Sequence, residues 1–516
     1  MAPAAASITR RQFVTGAAAA GLLSVLPSAH AAGPGPMVVV IPGEPSTLDW
    51  QKACDLNTHE VCRNIFDTLL MRDHKTLAFK GSLAESWRLV NPTTWQFKLR
   101  RGVRFHNGEP FDAAAVKFSV ERMLDPKFGS SHRGLISDID HVDVVDAQTA
   151  NVVTQKPFPL LPQRMSSGVC GTISMVPPKY VADTGEAGAA AKPVGTGPYK
   201  FVEWVKDDHI TLEANQDYFL GRPAIDRVVF RIVPELSTRV AAFVSGQADL
   251  VLYVPPDQVA KVNASGAGKI VVSHLGGLVI MTVITNYLMP GPWEDVRVRR
   301  AINYAVDMDT IIKTVLGGYA DPVGMPLERG ASGFDTSIKF PGYDPAQAKA
   351  LLRQAGHGSG FGMTLNVPNH RYINDVEVMQ AIASMLGNVG IQANVQVTEQ
   401  SVYVTKWAKR ELLPAYMVAW GGGGLFDADL LFNSLDSHSA LSIYKNPALD
   451  AVLEQARTTI DTAKRKSLYY QAQQIVAREV PLIKAYQQAT IFGVSNRLAW
   501  EPWIDGMVFL HDARFK

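Results

Sequence analysis

Apolar and polar residues follow one another along this chain in patterns typical of a mixed α/β protein. Residues 37–41 form a short, entirely apolar run, and Trp95, Phe97 and Leu99 alternate with polar neighbours as in a half-buried strand. Residues 141–155 predict a hairpin. Further strands are predicted at residues 226–233, 269–275, 363–367, 391–397 and 415–420.

Helices are predicted from the residues at their ends. An Asn or Asp that can cap the first turn marks three starts, at Asp344, Asn446 and Asp461. The first helix should end at Gly356 and the last before Pro481. Strands cluster in the first half and in a short final stretch, whereas residues 286–485 alternate helices with strands. This order predicts a separate lobe inserted between two parts of a first lobe.

Composition places the chain among large proteins with ordinary apolar cores. Its 516 residues are 47% hydrophobic and 19% charged, enough for about three domains or two large lobes. A net charge of +2, without any Lys/Arg-rich block, excludes the basic face that nucleic-acid binding needs. No run after residue 31 is long and apolar enough to span a membrane.

The first 31 residues have the order of an export signal. Arg10 and Arg11 precede Phe13, an uncharged run follows to Leu26, and small residues end at Ala31. The paired arginines resemble a twin-arginine signal, and an ordinary secretory signal is the alternative. Either predicts cleavage after residue 31 and a mature protein in the periplasm. The signal holds two of the 50 basic and none of the 48 acidic residues, so the mature chain is formally neutral.

Three cysteines are too few for a disulfide scaffold and lack the spacing of a structural zinc site. In an oxidising compartment, Cys54 and Cys62 form either a disulfide or two free thiols. Cys170 would then be a small buried residue.

Short motifs supply no catalytic set. Ser442 and Lys445 have the S-x-x-K spacing of an acyl-transfer nucleophile and its base, but the partner motifs are absent. The four glycines at 421–424 follow an apolar strand and favour either a loop beside a ligand or a flexible connector, without the pattern of a phosphate-binding loop. Three arginines beginning a helix near Asp295 predict a solvated, salt-bridged face: Arg297, Arg299 and Arg300. The absence of catalytic sets favours a binding protein over an enzyme.

A series of ordered motifs gives the chain a family resemblance. Residues 81–122 begin G-S-L-A-E-S-W and continue through R-G-V-R-F-H-N-G-E-P-F-D-A-A-A-V-K-F. Further motifs are G-T-G-P-Y at 195–199, N-Q-D-Y at 215–218, V-R-V-R-R-A-I-N-Y-A at 296–305 and Y-K-N-P-A-L-D at 444–450. Together with residues 472–481, they resemble the extracellular solute-binding proteins of family 5, the peptide- and nickel-type binding components of ABC importers.

The resemblance implies an α/β, two-lobed periplasmic binding protein fold with an extra subdomain and a hinge. Lobe I would comprise residues 32–55, 182–280 and 485–516, with the extra subdomain at residues 56–181. Lobe II would comprise residues 281–484, and the crossing segments would lie near residues 275–286 and 484–488. Hinge closure around a ligand in such proteins is a recognised form of domain motion.

The resemblance also implies where a ligand binds. In dipeptide-binding members, an Asp in the loop after a Trp holds the amino group of the ligand, and an Arg of the same lobe holds its carboxylate. Here glycine stands at the expected Asp, which casts doubt on a dipeptide with a free amine and leaves an acidic or neutral ligand open. Arg371 lies either in the cleft, where it would grip a carboxylate, or in a surface salt bridge. The implied ligand-binding residues are Trp50, Asn286, Tyr287, Arg371, Trp420, Gly422, Gly423 and Asp427.

The sequence therefore predicts a non-enzymatic periplasmic binding component of an ABC importer. We expect a monomer that captures a small, peptide-like solute and delivers it to a permease in the inner membrane, with no cofactor, catalytic residue or resident metal. One alternative is a binder of a nickel or haem-type metal complex, suggested by His59, His370 and His438. A more remote one is an exported hydrolase that uses Ser442.

Overall fold

The computed structural model describes residues 35–168, 172–325, 327, 329–335, 337–369, 371–421 and 427–516, with residue 430 described by its backbone alone. The predicted export signal lies outside these residues, as do Cys170, His370, Gly422 and Gly423. None of the helices found in the described ranges has the length and apolarity needed to cross a membrane.

Strands are spread over the whole described chain. They are β1 (Met37–Ile41), β2 (Leu70–Arg72), β3 (Phe79–Gly81), β4 (Ala84–Asn91), β5 (Thr94–Leu99), β6 (Ile139–Asp146), β7 (Thr149–Thr154), β8 (Tyr199–Val205), β9 (His209–Ala214), β10 (Arg227–Ile232), β11 (Leu250–Val251), β12 (Gly268–Ser273), β13 (Leu278–Ile284), β14 (Ala320–Val323), β15 (Phe361–Pro368), β16 (Ile391–Thr398), β17 (Ala415–Gly421), β18 (Leu482–Gln488), β19 (Thr490–Ser495), β20 (Leu498–Ala499) and β21 (Arg514–Phe515).

Helices alternate with these strands. They are α1 (Leu56–Cys62), α2 (Ala113–Leu124), α3 (Arg133–Ile136), α4 (Leu161–Arg164), α5 (Pro178–Ala191), α6 (Leu236–Val244), α7 (Val259–Ala264), α8 (Val296–Ala305), α9 (Met308–Thr314), α10 (Pro345–Gln354), α11 (Asp375–Gly387), α12 (Gln400–Ala408), α13 (Ala428–Leu431), α14 (Pro447–Thr458) and α15 (Thr462–Glu479).

A seven-stranded sheet forms the centre of the first lobe, in the order β12-β19-β11-β1-β10-β9-β8. The apolar strand β1 lies between β10 and β11 and is parallel to both. Its residues are buried on both faces, since Val39 belongs to one core cluster and Val40 to another. A central position explains why the run carries no polar residue.

The second lobe is built on a six-stranded sheet, in the order β14-β18-β13-β17-β15-β16. Successive residues of β13 contribute to separate cores on its two faces, with Val279 in one and Ile280 in the other. The fold is therefore two-lobed, with an apolar core on each side of this sheet.

A four-stranded antiparallel sheet, in the order β4-β5-β7-β6, forms a further unit on the first-lobe side. The predicted hairpin is confirmed as β6 and β7. Helix α2 packs against this sheet, and Val116, Val120 and Met123 join its core.

Two chain segments connect the two large sheets. Strand β12 ends in the first sheet and β13 begins in the second, so residues 274–277 make one crossing. Strand β18 ends in the second sheet and β19 begins in the first, so Ala489 makes the other. Both crossings are shorter than the sequence predicts, because the pairing of β13 with β18 reaches Val279 and Gln487.

The predicted helix starts are confirmed by their caps. Asp344 accepts the backbone N–H of Gln347, Asn446 accepts those of Ala448 and Leu449, and Asp461 accepts that of Lys464. Each cap satisfies a donor that the first helical turn leaves free.

Both alternatives predicted for Cys54 and Cys62, a disulfide between them and two free thiols, are wrong. Cys62 is a buried free thiol whose Sγ lies 3.5 Å from the carbonyl oxygen of Leu48, whereas Cys54 is disulfide-bonded. Asp55 caps α1, which separates Cys54 from Cys62 by about 10 Å along the helix axis, too far for a disulfide.

The prediction that the arginines at the start of α8 face solvent is wrong for Arg299. This side chain is 2% exposed and donates to the carbonyl oxygens of Trp293, Glu294 and Glu479. Helical spacing turns it inward while Arg297 stays outside and pairs with Asp295.

Candidate functional site

The strand ends of the second-lobe sheet form one edge of a cleft. Strands β15 and β17 run parallel, so residue 371 and Gly421 follow the same edge. Strand β13 begins there, since Leu278 pairs with Gly421. The crossing segment 274–277 leads into this edge, which therefore faces the first lobe.

The first-lobe sheet presents a corresponding edge. Strands β1, β10 and β11 are parallel and end on the same side. The crossing lies on that side too, because Ser273 at the end of β12 pairs with Thr490. Crevices beyond the carboxyl ends of parallel strands are where open α/β sheets bind ligands.

Tyr253 and Glu60 lie on the first-lobe side of this cleft. Tyr253 follows β11 in a left-handed conformation (φ 56°), and its hydroxyl donates to Glu60 Oε1 at 2.8 Å. The N–H of Val508 donates to Glu60 Oε2 at 2.7 Å. Burial raises the pKa of Glu60 to about 7, so this buried carboxyl binds its proton more tightly than a solvated one does.

Arg371 approaches this pair from the second lobe. Burial raises the pKa of Tyr253, the Glu60 carboxylate adds to the effect, and Arg371 acts in the opposite direction. The guanidinium of Arg371 lies 5.5 Å from the centre of the Tyr372 ring and forms no ion pair with any described carboxylate. The predicted salt bridge is therefore not found within the described chain.

The backbone around Arg371 is fixed by Asp375. One carboxylate oxygen of this buried residue accepts the N–H groups of Arg371 and Tyr372 at 2.8 and 3.0 Å. The hydroxyl of Tyr372 accepts the N–H of Ala419 from β17 at 3.0 Å. These bonds hold the Arg371 loop against the sheet.

Arg164 lies at another part of the cleft, at the end of α4. It is 5% exposed, its Nε has no hydrogen-bond partner among the described residues, and no described carboxylate forms an ion pair with it. Burial lowers the pKa of its guanidinium, whereas Asp429 and Asp427 of the second lobe act to raise it. Arg164 therefore faces the second lobe without a direct partner in the described chain.

Other arginines near the cleft have carboxylate partners. Arg63 pairs with Asp505 at 2.5 Å and Arg465 with Asp427 at 2.8 Å. Arg457 pairs with two carboxylates at 2.6 Å each, those of Asp429 and Asp436.

Trp50, His59 and His132 form a group of neighbouring rings in the first lobe. The indole N–H of Trp50 donates to His59 Nδ1, which leaves the proton of neutral His59 on Nε2. His59 Nε2 is buried and has no partner among the described residues, and burial lowers the pKa of the ring well below its ordinary value. The ring of His132 is centred 6.1 Å from that of His59, and the nearby charge of Arg164 lowers the pKa of His132 beyond the effect of burial.

The structure brings some predicted ligand-binding residues to this cleft and leaves others away from it. Trp420 lies at the β17 edge, where its N–H donates to Ser434 Oγ and its ring packs near Trp407. Trp50 is buried in the first-lobe core, and Asp427 is occupied by Arg465.

Asn286 and Tyr287 do not reach this edge. They follow the opposite end of β13, where Asn286 bonds the backbone of Lys445 through both its amide nitrogen and its oxygen. Gly422 and Gly423 lie outside the described residues.

The histidines that suggested a metal complex share no common centre in the described structure. His438 lies beside Asp436 and Asp450. One potential metal-ligand atom from each of the three residues lies within 4.8 Å of the other two. Both carboxylates already have partners, however, since Asp436 pairs with Arg457 and Asp450 accepts from Ser437. His59 is packed against Trp50 in the other lobe.

Ser442 does not have the surroundings of a nucleophile. It is fully buried, and its hydroxyl donates to the carbonyl oxygens of Ser434 and Tyr444 at 2.9 and 3.0 Å. Its role in the described structure is to join two loop segments.

Sequence reasoning missed Glu60, Tyr253 and Arg164. For Arg164 a signal was present, because the arginine lies near the end of a mainly apolar, proline-rich stretch at residues 157–165. For Glu60 and Tyr253 no comparable local signal exists, since their contact joins α1 to a residue 193 positions away.

Comparisons with known proteins find relatives over most of the chain. The family model for "Bacterial extracellular solute-binding proteins, family 5 Middle" matches residues 78–441. The glutathione-binding protein GsiB of Pectobacterium atrosepticum is 27% identical over 507 residues, which cover 95% of each chain. GsiB of Shigella dysenteriae is 28% identical over 497 residues, 94% of this chain and 95% of the relative.

Solved structures of binding proteins share the fold of this chain. DppA of Helicobacter pylori, in complex with the peptide STSA, has a TM-score of 0.77 and 25% identity, with 93% of this chain and 98% of that chain covered. CtaP of Listeria monocytogenes has a TM-score of 0.84 and 22% identity, with 93% and 99% covered.

Proposed function

Because this chain belongs to the bacterial extracellular solute-binding proteins of family 5, we propose that it captures a small, peptide-like solute between its two lobes and delivers it to the permease of an ABC importer. The observation that carries the proposal is Arg371. Arg371 follows β15 at the sheet edge that faces the first lobe, its charge acts on Tyr253 of that lobe, and it has no carboxylate partner in the described chain. A peptide carboxylate matches the donor geometry of a guanidinium.

Three relatives support a ligand of this size and chemistry. The GsiB proteins are glutathione-binding proteins, and DppA is in complex with a short peptide. Both ligands are peptide-like molecules with carboxylates, which agrees with the unpaired guanidinium.

The proposed activity is binding without covalent chemistry. The only serine that suggested catalysis in the sequence, Ser442, is buried and bonded to two carbonyl oxygens. We propose that the mature protein acts in the periplasm as a monomer, where closure around the solute creates the surface that the permease recognises.

Calorimetric titration of the purified protein with S-methylglutathione and with a panel of di- and tripeptides tests this function. Blocking the thiol prevents exchange with the Cys54 disulfide. We expect at least one probe to bind, and Arg371→Ala to weaken that binding at least tenfold, about 1.4 kcal/mol.

Arg353→Ala is the matched control. Arg353 is exposed on α10, which leads into the far end of β15, so its loss should leave affinity unchanged. If no peptide-like probe binds, the proposed function is wrong. If a probe binds equally well to the Arg371→Ala protein, Arg371 has no part in the site.

A further inference from the structure

Arg164 is a buried charge without a partner in the described structure. Arginine is seldom buried unless it is paired, because removing a guanidinium from water is costly. At 5% exposure, Arg164 has no ion pair and an unbonded Nε among the described residues. Its place in the fold therefore needs an explanation that the described chain does not supply.

The two carboxylates opposite Arg164 are engaged elsewhere. Asp427 accepts from Arg465 Nη2 at 2.8 Å, and Asp429 accepts from Arg457 Nε at 2.6 Å. Their charges still act on Arg164, which places the guanidinium at the lobe interface, but neither contacts it. Arg164 therefore faces the second lobe without a carboxylate of its own among the described residues.

A second unbonded donor lies on the first-lobe side. His59 Nε2 is buried without a partner among the described residues, and its ring is centred 6.1 Å from that of His132, on which the charge of Arg164 acts. The guanidinium of Arg164 is itself suited to an anionic group that accepts hydrogen bonds.

We propose that Arg164 binds a second carboxylate of the solute, so that the ligand is a peptide-like molecule with two carboxylates, one held by Arg164 of the first lobe and one by Arg371 of the second. This inference rests on the proposed function and specifies its substrate class. The two arginines are distinguished from Arg63, Arg457 and Arg465 by having no carboxylate partner in the described chain.

The test measures binding of S-methylglutathione and of its two mono-amides, each of which lacks one carboxylate, and of Ala-Ala-Glu with its corresponding mono-amides. The unmodified protein should bind a diacid at least tenfold more tightly than either of its amides. Arg164→Gln should weaken binding of that diacid at least tenfold yet leave one of the two amides nearly unaffected. Arg371→Gln should show the complementary pattern, with the other amide unaffected.

Thermal unfolding of the ligand-free variants separates binding from structure. Because Arg164 is unpaired, Arg164→Gln should leave the Tm unchanged or raise it, and Arg164→Lys should retain part of the preference for the diacid. The inference is overturned if the amides bind as tightly as the diacids, or if Arg164→Gln weakens all probes equally and lowers the Tm. In either case peptide binding itself would stand, whereas failure of every peptide-like probe would overturn the proposed function and this inference with it.

Discussion

Glu60 shows how one buried residue links the cleft to stability. It is fully buried, accepts hydrogen bonds from Tyr253 and Val508, and has Arg63 and Asp505 nearby. Burial raises its pKa from 4.5 to about 7, because the loss of hydration outweighs the two bonds and the attraction of Arg63. Folding therefore favours the protonated carboxyl.

The sign of the resulting pH dependence follows from this shift. Between pH 4.5 and about 7 the folded protein binds the Glu60 proton more tightly than the unfolded chain does, so the free energy of unfolding falls as pH rises through that window. The full effect is on the order of 3 kcal/mol. Glu60→Gln, whose amide can bond Tyr253 and Val508, should remove this part of the decrease.

Urea unfolding at pH 5 and pH 7.5 measures most of this decrease in the free energy of unfolding. Glu454→Gln, on the exposed side of α14, is the control and should keep the pH dependence of the unmodified protein. An identical decrease in Glu60→Gln would show that Glu60 does not titrate in this range.

At the scale of residues, the sequence identifies side chains that belong to a family motif. It misses side chains whose importance depends on their burial in the tertiary structure. Arg371 and Trp420 follow recognisable strand ends, and both lie at the cleft edge. Arg164 becomes notable only because the fold buries it without a partner. Asn286 follows the correct strand, but at the end that turns away from the cleft.

At the scale of elements, the glycines of the crossing segment determine how closely the two lobes are joined. A Cβ at Gly277 would lie 1.5 Å from the carbonyl oxygen of Gln488, and one at Gly276 would lie 2.1 Å from the backbone of Asp505. The side chain of Gln487 donates to the carbonyl oxygens of Leu275 and Gly277. The two crossings therefore pack backbone against backbone.

Gly277→Ala should force these crossings apart. We expect a loss of about 2 kcal/mol in the free energy of unfolding, typical of overpacking a close contact, and weaker binding of any ligand that needs both lobes. Gly387→Ala is the matched control, because a Cβ there meets open space at the end of α11. It should be neutral or slightly stabilising. Equal stability of the two variants would contradict the close packing.

The elements themselves were the most predictable part of the fold. Capping residues and apolar runs are local, so the starts of α10, α14 and α15 and the strand β1 were found within a residue or two. The crossings predicted from the sequence extend too far into β13 and β18, because no local pattern shows which sheet a strand joins. The state of Cys54 likewise depends on tertiary structure.

At the scale of the whole molecule, closure depends on which lobe holds each end of the solute. A ligand shifts an equilibrium between open and closed forms only by its greater affinity for one of them. Arg164 belongs to the first-lobe side and Arg371 to the second, and in the described structure the charge of each acts on residues of the opposite lobe. A solute that touches both arginines gains contacts only when the lobes meet.

Solution scattering separates binding from closure. Saturating S-methylglutathione should lower the radius of gyration of the ligand-free protein, since it engages both guanidinium groups. A saturating mono-amide engages one lobe strongly and should lower the radius of gyration less, even when every site is filled. In Arg164→Gln the diacid should behave like that amide, because the first-lobe contact is lost while Arg371 still binds. An equal decrease for diacid and amide in the unmodified protein would mean that closure requires only one arginine, and that the second carboxylate adds affinity without selecting the closed form.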